Sequence, residues 1–164
     1  MRSSKTHYLP EYVGFYSTNS SESLAVDLSQ NINEILVETI KKRGRVSMAV
    51  SGGSTPIPLF KVLSHLGLDW SKVDLTLVDD RWVSSDHKDS NELLVRSNLI
   101  RNKAANVNFI PLKNDASTAK EGRASSEEAL HSFSLPFDIV MLGMGTDGHT
   151  ASLFPCSEEI NSAM

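Results

Sequence analysis

From Ser21 to Lys42 the apolar residues Leu24, Leu28, Ile32, Ile35, Leu36 and Ile40 recur at three- and four-residue spacing, which predicts a helix with one buried stripe. Its ends agree with that reading. Ser21 is placed to cap the start and Glu22 suits the positive end, while Lys41, Lys42 and Arg43 suit the negative end and Gly44 can stop the helix. Arg45 to Val50 then forms a short β-leaning run that breaks at Ser51-Gly52-Gly53-Ser54-Thr55. Pro56 opens a second periodic segment that runs to Leu66 and closes at Gly67, so the pattern reads strand, glycine turn, helix. It repeats, with strands expected at Val73 to Val78, Val107 to Leu112 and Phe137 to Leu142, and helices at Ser90 to Ile100 and Ser117 to Phe133. After Pro155 no closing helix or strand is expected.

Strands alternating with helices predict an α/β fold: a three-layer α/β/α arrangement around a mainly parallel, Rossmann-like sheet. Ligands of such sheets bind in the crevice beyond the carboxyl ends of the strands. Three of the four expected strand ends carry unusual polar sequence: Ser51 to Thr55, Asp79-Asp80-Arg81-Trp82, and Gly143 to Ser152.

The 164 residues are enough for one domain, 1–164, and 40% hydrophobic with 22% charged residues allow a sizeable core. Sixteen Lys and Arg against 20 Asp and Glu give a net charge of −4 with no long run of one sign, which argues against binding to nucleic acid or an anionic membrane. An anionic small molecule would therefore need a local positive pocket. Cys156 is the only cysteine, so no intrachain disulfide can form and a reducing compartment fits. Met1 to Glu11 lacks the apolar run of a signal peptide and no stretch is long and apolar enough to span a membrane, so the cytoplasm is the expected location.

The Ser51-Gly52-Gly53-Ser54-Thr55-Pro56 turn combines glycines that admit close backbone approach, hydroxyl donors, and a proline suited to a helix start. Exposed amides in such a place bind anions, phosphate above all. The lysine of a Walker loop is missing, which disfavours nucleotide triphosphate hydrolysis; the other reading of the turn is a plain cap. Gly143-Met144-Gly145-Thr146-Asp147-Gly148 matches the dinucleotide glycine pattern, but it follows the last strand instead of the first, so an NAD-binding role rests on a misplaced motif. His149, on that glycine-rich turn, is placed to exchange protons with a ligand near neutral pH; its alternative is a structural histidine. At the end of the second strand Asp79 and Asp80 point in different directions, so one carboxylate can orient Arg81 while the other faces a ligand, or all three form a salt bridge tying down the loop. No Cys or His partners stand at metal-ligand spacing around His7, His65, His87 or His131, Ser152 is not in a nucleophile elbow, and Cys156 has no activating neighbour.

Together, Ser51 to Pro56, Asp79-Asp80-Arg81-Trp82-Val83 with Ser90-Asn91, and Gly143-Met144-Gly145-Thr146-Asp147-Gly148-His149-Thr150-Ala151-Ser152-Leu153-Phe154-Pro155 resemble the 6-phosphogluconolactonase family, within a superfamily shared with glucosamine-6-phosphate deaminases. The deaminases usually follow the histidine with Ile-Ala-Phe-Asn-Glu-Pro, whose glutamate is missing from Thr150 to Pro155. Asp80 stands where the lactonase pattern more often has Glu, and Ser84 where Pro is common. The resemblance implies a cytosolic hydrolase that opens 6-phospho-D-glucono-1,5-lactone to 6-phosphogluconate, the second step of the oxidative pentose phosphate pathway. Members of the family continue beyond this block with further elements and a late basic segment, so the domain is expected to be incomplete at its C-terminus, as a fragment or a truncated reading frame.

The corresponding site expectation has His149 as general base, Asp147 orienting the loop or the imidazole, and Arg81 neutralising charge and orienting the sugar. Ser51, Gly52, Gly53, Ser54, Thr55, Asp80, Arg81, Asn91, Gly145 and Gly148 would bind substrate. No metal and no cofactor is expected, the partner is a small sugar-phosphate lactone, and the chain is expected to be a monomer. The other functional readings are a deaminase-like sugar-phosphate enzyme and a non-catalytic sugar-phosphate binding fragment.

Overall fold

The computed structural model describes residues 12–158 and 160–163; the Met1 to Glu11 stretch and His7 lie outside the described residues. Four parallel strands, β1 (Val46–Val50), β2 (Val73–Leu77), β3 (Asn108–Phe109) and β4 (Ile139–Met141), form one sheet in the order β3-β2-β1-β4. Helix α1 (Ser21–Arg43) precedes β1, and α2 (Ile57–Leu63), α3 (Asn91–Asn98) and α4 (Ala119–Leu130) lie between successive strands. The first two crossovers step outward from β1 and the third returns across it. With right-handed connections, α2 and α3 cover one face and α4 the other. A four-residue turn of helix, α5 (Ile160–Ala163), stands where no element is expected from sequence.

Local chemistry accounts for most boundaries. Ser20, not Ser21, caps α1, its Oγ accepting from the Ser23 amide at 3.1 Å, and Gly44 ends it by donating to the Ile40 carbonyl at 2.8 Å. The buried stripe of α1 is Ala25, Ser29, Ile32 and Leu36, turned by about one position from the expected one. Leu24, Leu28 and Ile35 stay partly exposed because the helix packs along both α2 and β1, so its inward side points between them. The third strand is two residues long instead of six. Thr76 Oγ1 takes the Ile110 carbonyl at 2.8 Å and Pro111 has no amide to give the ladder, so the chain leaves the sheet there.

β1 and β2 are buried on both faces along all five residues, as expected for central parallel strands. Leu36, Met48, Phe60, Leu63, Leu75, Val95 and Leu99 are fully buried around them and form the core. The register pairs Val46 with Val73 through Val50 with Leu77, and Met48 with Ile139 through Val50 with Met141. The carboxyl ends of β1, β2 and β4 therefore finish level. Among the described residues β4 is an edge strand of the sheet, and Val140 and Leu142 there are half exposed. No described helix is long and apolar enough to cross a membrane.

At the opposite end of the sheet, Asp74 of β2 is 5% exposed and receives both Nε (2.9 Å) and Nη2 of Arg45, together with Nδ2 of Asn108 at 2.6 Å. Burial pushes this carboxyl up, but the Arg45 and Asn108 hydrogen bonds and the Arg45 charge outweigh it and hold Asp74 below its ordinary range. A carboxyl that ionises more readily folded than unfolded contributes fully above its unfolded pKa of about 3.9, and that contribution is lost as pH falls through the folded titration. Asp74→Ala is expected to lower unfolding free energy by about 2 kcal/mol near neutral pH. Urea unfolding followed from about pH 5 to 3 should show the parent losing more stability than the variant; parallel acid profiles would refute the pairing.

Candidate active site

The strand order reverses at β1: its chain continues toward β2, while β4 arrives on its other side. Crevices form where neighbouring connections diverge in this way. Here a cleft of about 420 Å³ opens over the ends of β1, β2 and β4. Its walls include Ser51, Gly52, Gly53 and Thr55 after β1, Asp79 and Arg81 after β2, Asn91 at the start of α3, and Gly143, Gly145 and His149 after β4. Leu24 and Leu28 of α1, with Met141 and Leu142, supply an apolar side.

The loop after β1 is sutured to the loop after β4. Ser51 is buried; its amide and hydroxyl both donate to the Met141 carbonyl, at 3.1 and 2.9 Å, and its Oγ accepts from the Gly143 amide at 3.2 Å. The Ser51 hydroxyl thus joins the two loops. Gly52 follows with no room for a side chain: a Cβ there would fall 1.8 Å from Oδ1 of the buried Asn91. Among the described residues nothing accepts from the amides of Gly52, Gly53, Ser54 or Thr55. Of these residues Gly52, Gly53 and Thr55 line the cleft, and the exposed Ser54 stands outside it. Pro56 caps α2 through its carbonyl, which accepts from Phe60 at 2.9 Å.

The acidic pair divides its work. Asp80 turns from the cleft to the start of α3, accepting from the amides of Asn91 at 2.7 Å and Glu92 at 3.1 Å and from Arg81's own amide at 2.8 Å. That position suits an anion at the positive end of a helix. Asp79 faces the cleft, where Ser152 Oγ donates to it at 2.7 Å and Asn91 Nδ2 approaches at 3.4 Å. Neither carboxylate orients the Arg81 guanidinium. Its Nη1 donates to the Asp89 carbonyl at 2.8 Å, and no carboxylate of the described residues lies in ion-pair range, so its positive charge is offered to the cleft.

In the loop after β4, His149 folds back over Gly145, where a Cβ would fall 2.3 Å from the imidazole. The Gly145 amide donates to the His149 carbonyl at 2.8 Å, and the Gly148 amide to the Gly145 carbonyl at 3.0 Å. The imidazole Nδ1 lies 2.5 Å from Asp147 Oδ1, and the ring packs against Phe154 with centroids 4.6 Å apart. The histidine hydrogen bond first, then backbone donors, hold the Asp147 carboxyl below its ordinary range, so it is ionised at neutral pH and can only accept. Nδ1 therefore carries the proton, and Nε2 of the neutral ring keeps a lone pair for a proton acceptor's role. Asp147 and Gly148 stand behind the imidazole, outside the cleft lining.

Asp79, which lines the cleft, and Ser152, which hydrogen-bonds to it from outside the lining, are not among the catalytic and substrate-binding residues expected from sequence. Adjacent carboxylates give no clue to which one a helix start will claim, and the Asp79 to Ser152 contact spans 73 positions. The apolar wall of Leu24 and Leu28 is likewise missed, since their helical spacing reads as core.

Most of the chain is similar to known proteins. The chain is 45% identical over 142 residues to a 6-phosphogluconolactonase of Rhizobium meliloti, covering 87% of this chain and 61% of that protein. It is 40% identical to one of Pseudomonas aeruginosa, covering 95% of this chain and 66% of the relative. A crystal structure of a 6-phosphogluconolactonase from Shewanella baltica superposes with a TM-score of 0.91 at 47% identity, over 94% of this chain and 66% of that one. The chain thus spans a little under two thirds of the length of these relatives. The family model described as glucosamine-6-phosphate isomerases/6-phosphogluconolactonase matches residues 19–164, and the chain belongs to that family.

Proposed function

We propose that this chain carries the hydrolytic site of a 6-phosphogluconolactonase, which opens 6-phospho-D-glucono-1,5-lactone to 6-phosphogluconate. The observation that carries the reading is the His149–Asp147 pair at one side of a cleft whose other side presents unpartnered backbone amides and the Arg81 charge. The relatives at 40 to 47% identity bear the lactonase name, which favours it over deamination. So does the stretch Thr150 to Pro155, which lacks the glutamate of the deaminase pattern.

In this reading the substrate phosphate rests on the amides of the cleft-lining Gly52, Gly53 and Thr55, whose hydrogens have no competing acceptor among the described residues. Arg81 adds the charge that a protein of net −4 must supply locally. Phosphate at that end fixes the lactone ring across the cleft and brings C1 toward His149. A water held by Nε2 gives its proton to the imidazole as its oxygen bonds to C1, and the carbonyl electrons move onto oxygen. When the tetrahedral intermediate collapses, the bond from C1 to the ring oxygen breaks and the imidazolium returns the proton to that oxygen. Asp147 remains ionised throughout and stabilises the imidazolium. The amides of Met144 and Thr146, which have no acceptor among the described residues, or Arg81, would meet the developing oxyanion.

The family's substrates support a sugar-phosphate ligand, and the cytoplasm is the compartment in which such metabolism and an exposed unpaired Cys156 are compatible. We read the chain as acting on a small molecule as a monomer, with nucleic acid playing no part.

Lactone consumption, measured with spontaneous hydrolysis subtracted, is expected to fall on the order of 10² to 10⁴ in His149→Ala. Unchanged turnover would overturn the assignment, and ammonia release from glucosamine 6-phosphate would redirect it to the deaminases. Asp147→Asn should lower kcat on the order of 10²-fold with the fold intact, since the imidazole loses its fixed tautomer and orientation. Arg81→Gln should instead raise KM about tenfold or more, reflecting a lost charge-assisted contact to phosphate. An Arg81 effect confined to kcat would place that residue at the carbonyl.

A further inference from the structure

The mechanism above leaves Asp79 and Ser152 without a task, yet they form a hydrogen bond at the cleft. Asp79 stands on a firm base. Its backbone carbonyl accepts from Asn91 Nδ2 at 2.8 Å, one carboxylate oxygen meets the same nitrogen at 3.4 Å, and Asn91 is itself 4% exposed and pressed against Gly52. The other carboxylate oxygen accepts from Ser152 Oγ at 2.7 Å.

Ser152, by contrast, belongs to an exposed loop. The loop is fastened at its beginning by the Gly143 amide on Ser51 Oγ and near its end by Ser152 on Asp79, with His149 between the two fastenings. Between His149 and Ser152 the chain turns sharply: Leu153 donates to the Thr150 carbonyl at 3.0 Å, and Thr150 Oγ1 donates to the Gly143 carbonyl at 2.9 Å. The turn puts Ala151 at φ 50°, in the left-handed region that a residue with a Cβ enters only when its surroundings over-determine it. The bond to Asp79 supplies such a constraint on the next residue.

We infer that the Asp79–Ser152 hydrogen bond is a clasp that holds the turn in this conformation and thereby aims His149 across the cleft, making both positioning residues for the reaction. The inference deepens the lactonase reading and rests on it for the role of His149, but the clasp itself can be tested without turnover. It also explains why the two carboxylates differ in partner: Asp80 fixes the start of α3, and Asp79, held by the first residue of that helix, fixes the loop carrying the base.

Amide hydrogen exchange across residues 143–153 and the nitrogen-15 signals of the His149 imidazole, recorded for Ser152→Ala, Asp79→Ala and the double variant, provide the test. Each single variant is expected to speed loop exchange by about tenfold while β1 and β2 amides are unchanged, and the double variant should add nothing further. Ser152→Thr, which keeps the hydroxyl, should restore the parent behaviour. Unaltered loop exchange in Ser152→Ala, or single effects that multiply in the double variant, would overturn the clasp. With lactone, Ser152→Ala should lower kcat on the order of tenfold and leave KM within about twofold; a change in KM alone would also overturn it. A parent chain that fails to turn over lactone would count against the proposed function, while exchange and imidazole spectra would still decide the clasp.

Discussion

The site depends on the pairing of β1 with β4. These strands are far apart in the chain, yet Val50 sits beside Met141 in register, and Ser51, one residue on, binds the Met141 carbonyl and the Gly143 amide. That pairing places an anion-ready glycine loop beside a histidine loop. A slip of one residue would exchange the faces of β4 and move the His149 loop relative to Gly52. The sheet's burial pattern resists such a slip, because Ile139 and Met141 pack on the core while Val140 points outward.

Charge is distributed around this pairing with little redundancy. The chain is weakly acidic as a whole, and most described Arg residues are engaged with carboxylates, as in Arg45 with Asp74, Arg96 with Glu92 and Arg123 with Glu127. Arg81 differs because its guanidinium rests on a neutral carbonyl, which orients it without cancelling its charge. Asp147 illustrates the converse: its negative charge is directed at one imidazole nitrogen, leaving the other free for proton transfer. In the proposed function the two residues divide electrostatic attraction of a substrate from acid–base chemistry.

Most of the architecture could be read from the chain. The four strands and four main helices occur where period and punctuation place them, because hydrophobic spacing and caps such as Ser90 and Thr118 act within a few residues. Errors fell where distant partners decide. Helix α1 turned its stripe to suit both α2 and β1, so Leu24 and Leu28 became cleft wall instead of core. The third strand was shortened by a side chain on its neighbour, Thr76, acting together with Pro111.

The site shows the same division. Ser51 to Thr55, Arg81, Asn91 and His149 were visible as chemistry-bearing residues at strand ends, since glycines, hydroxyls, a guanidinium and an imidazole announce themselves by type and by local context. Their employment was not visible. Sequence alone determined the alternation of elements and the family resemblance, which follow from neighbours along the chain, and it left Asp147 either the loop or the imidazole to orient, a choice the structure makes for the imidazole. Only the tertiary structure decided that Asp80 caps a helix while Asp79 holds Ser152, and that Ser51 joins two loops, because such hydrogen bonds depend on which strand ends the sheet brings together.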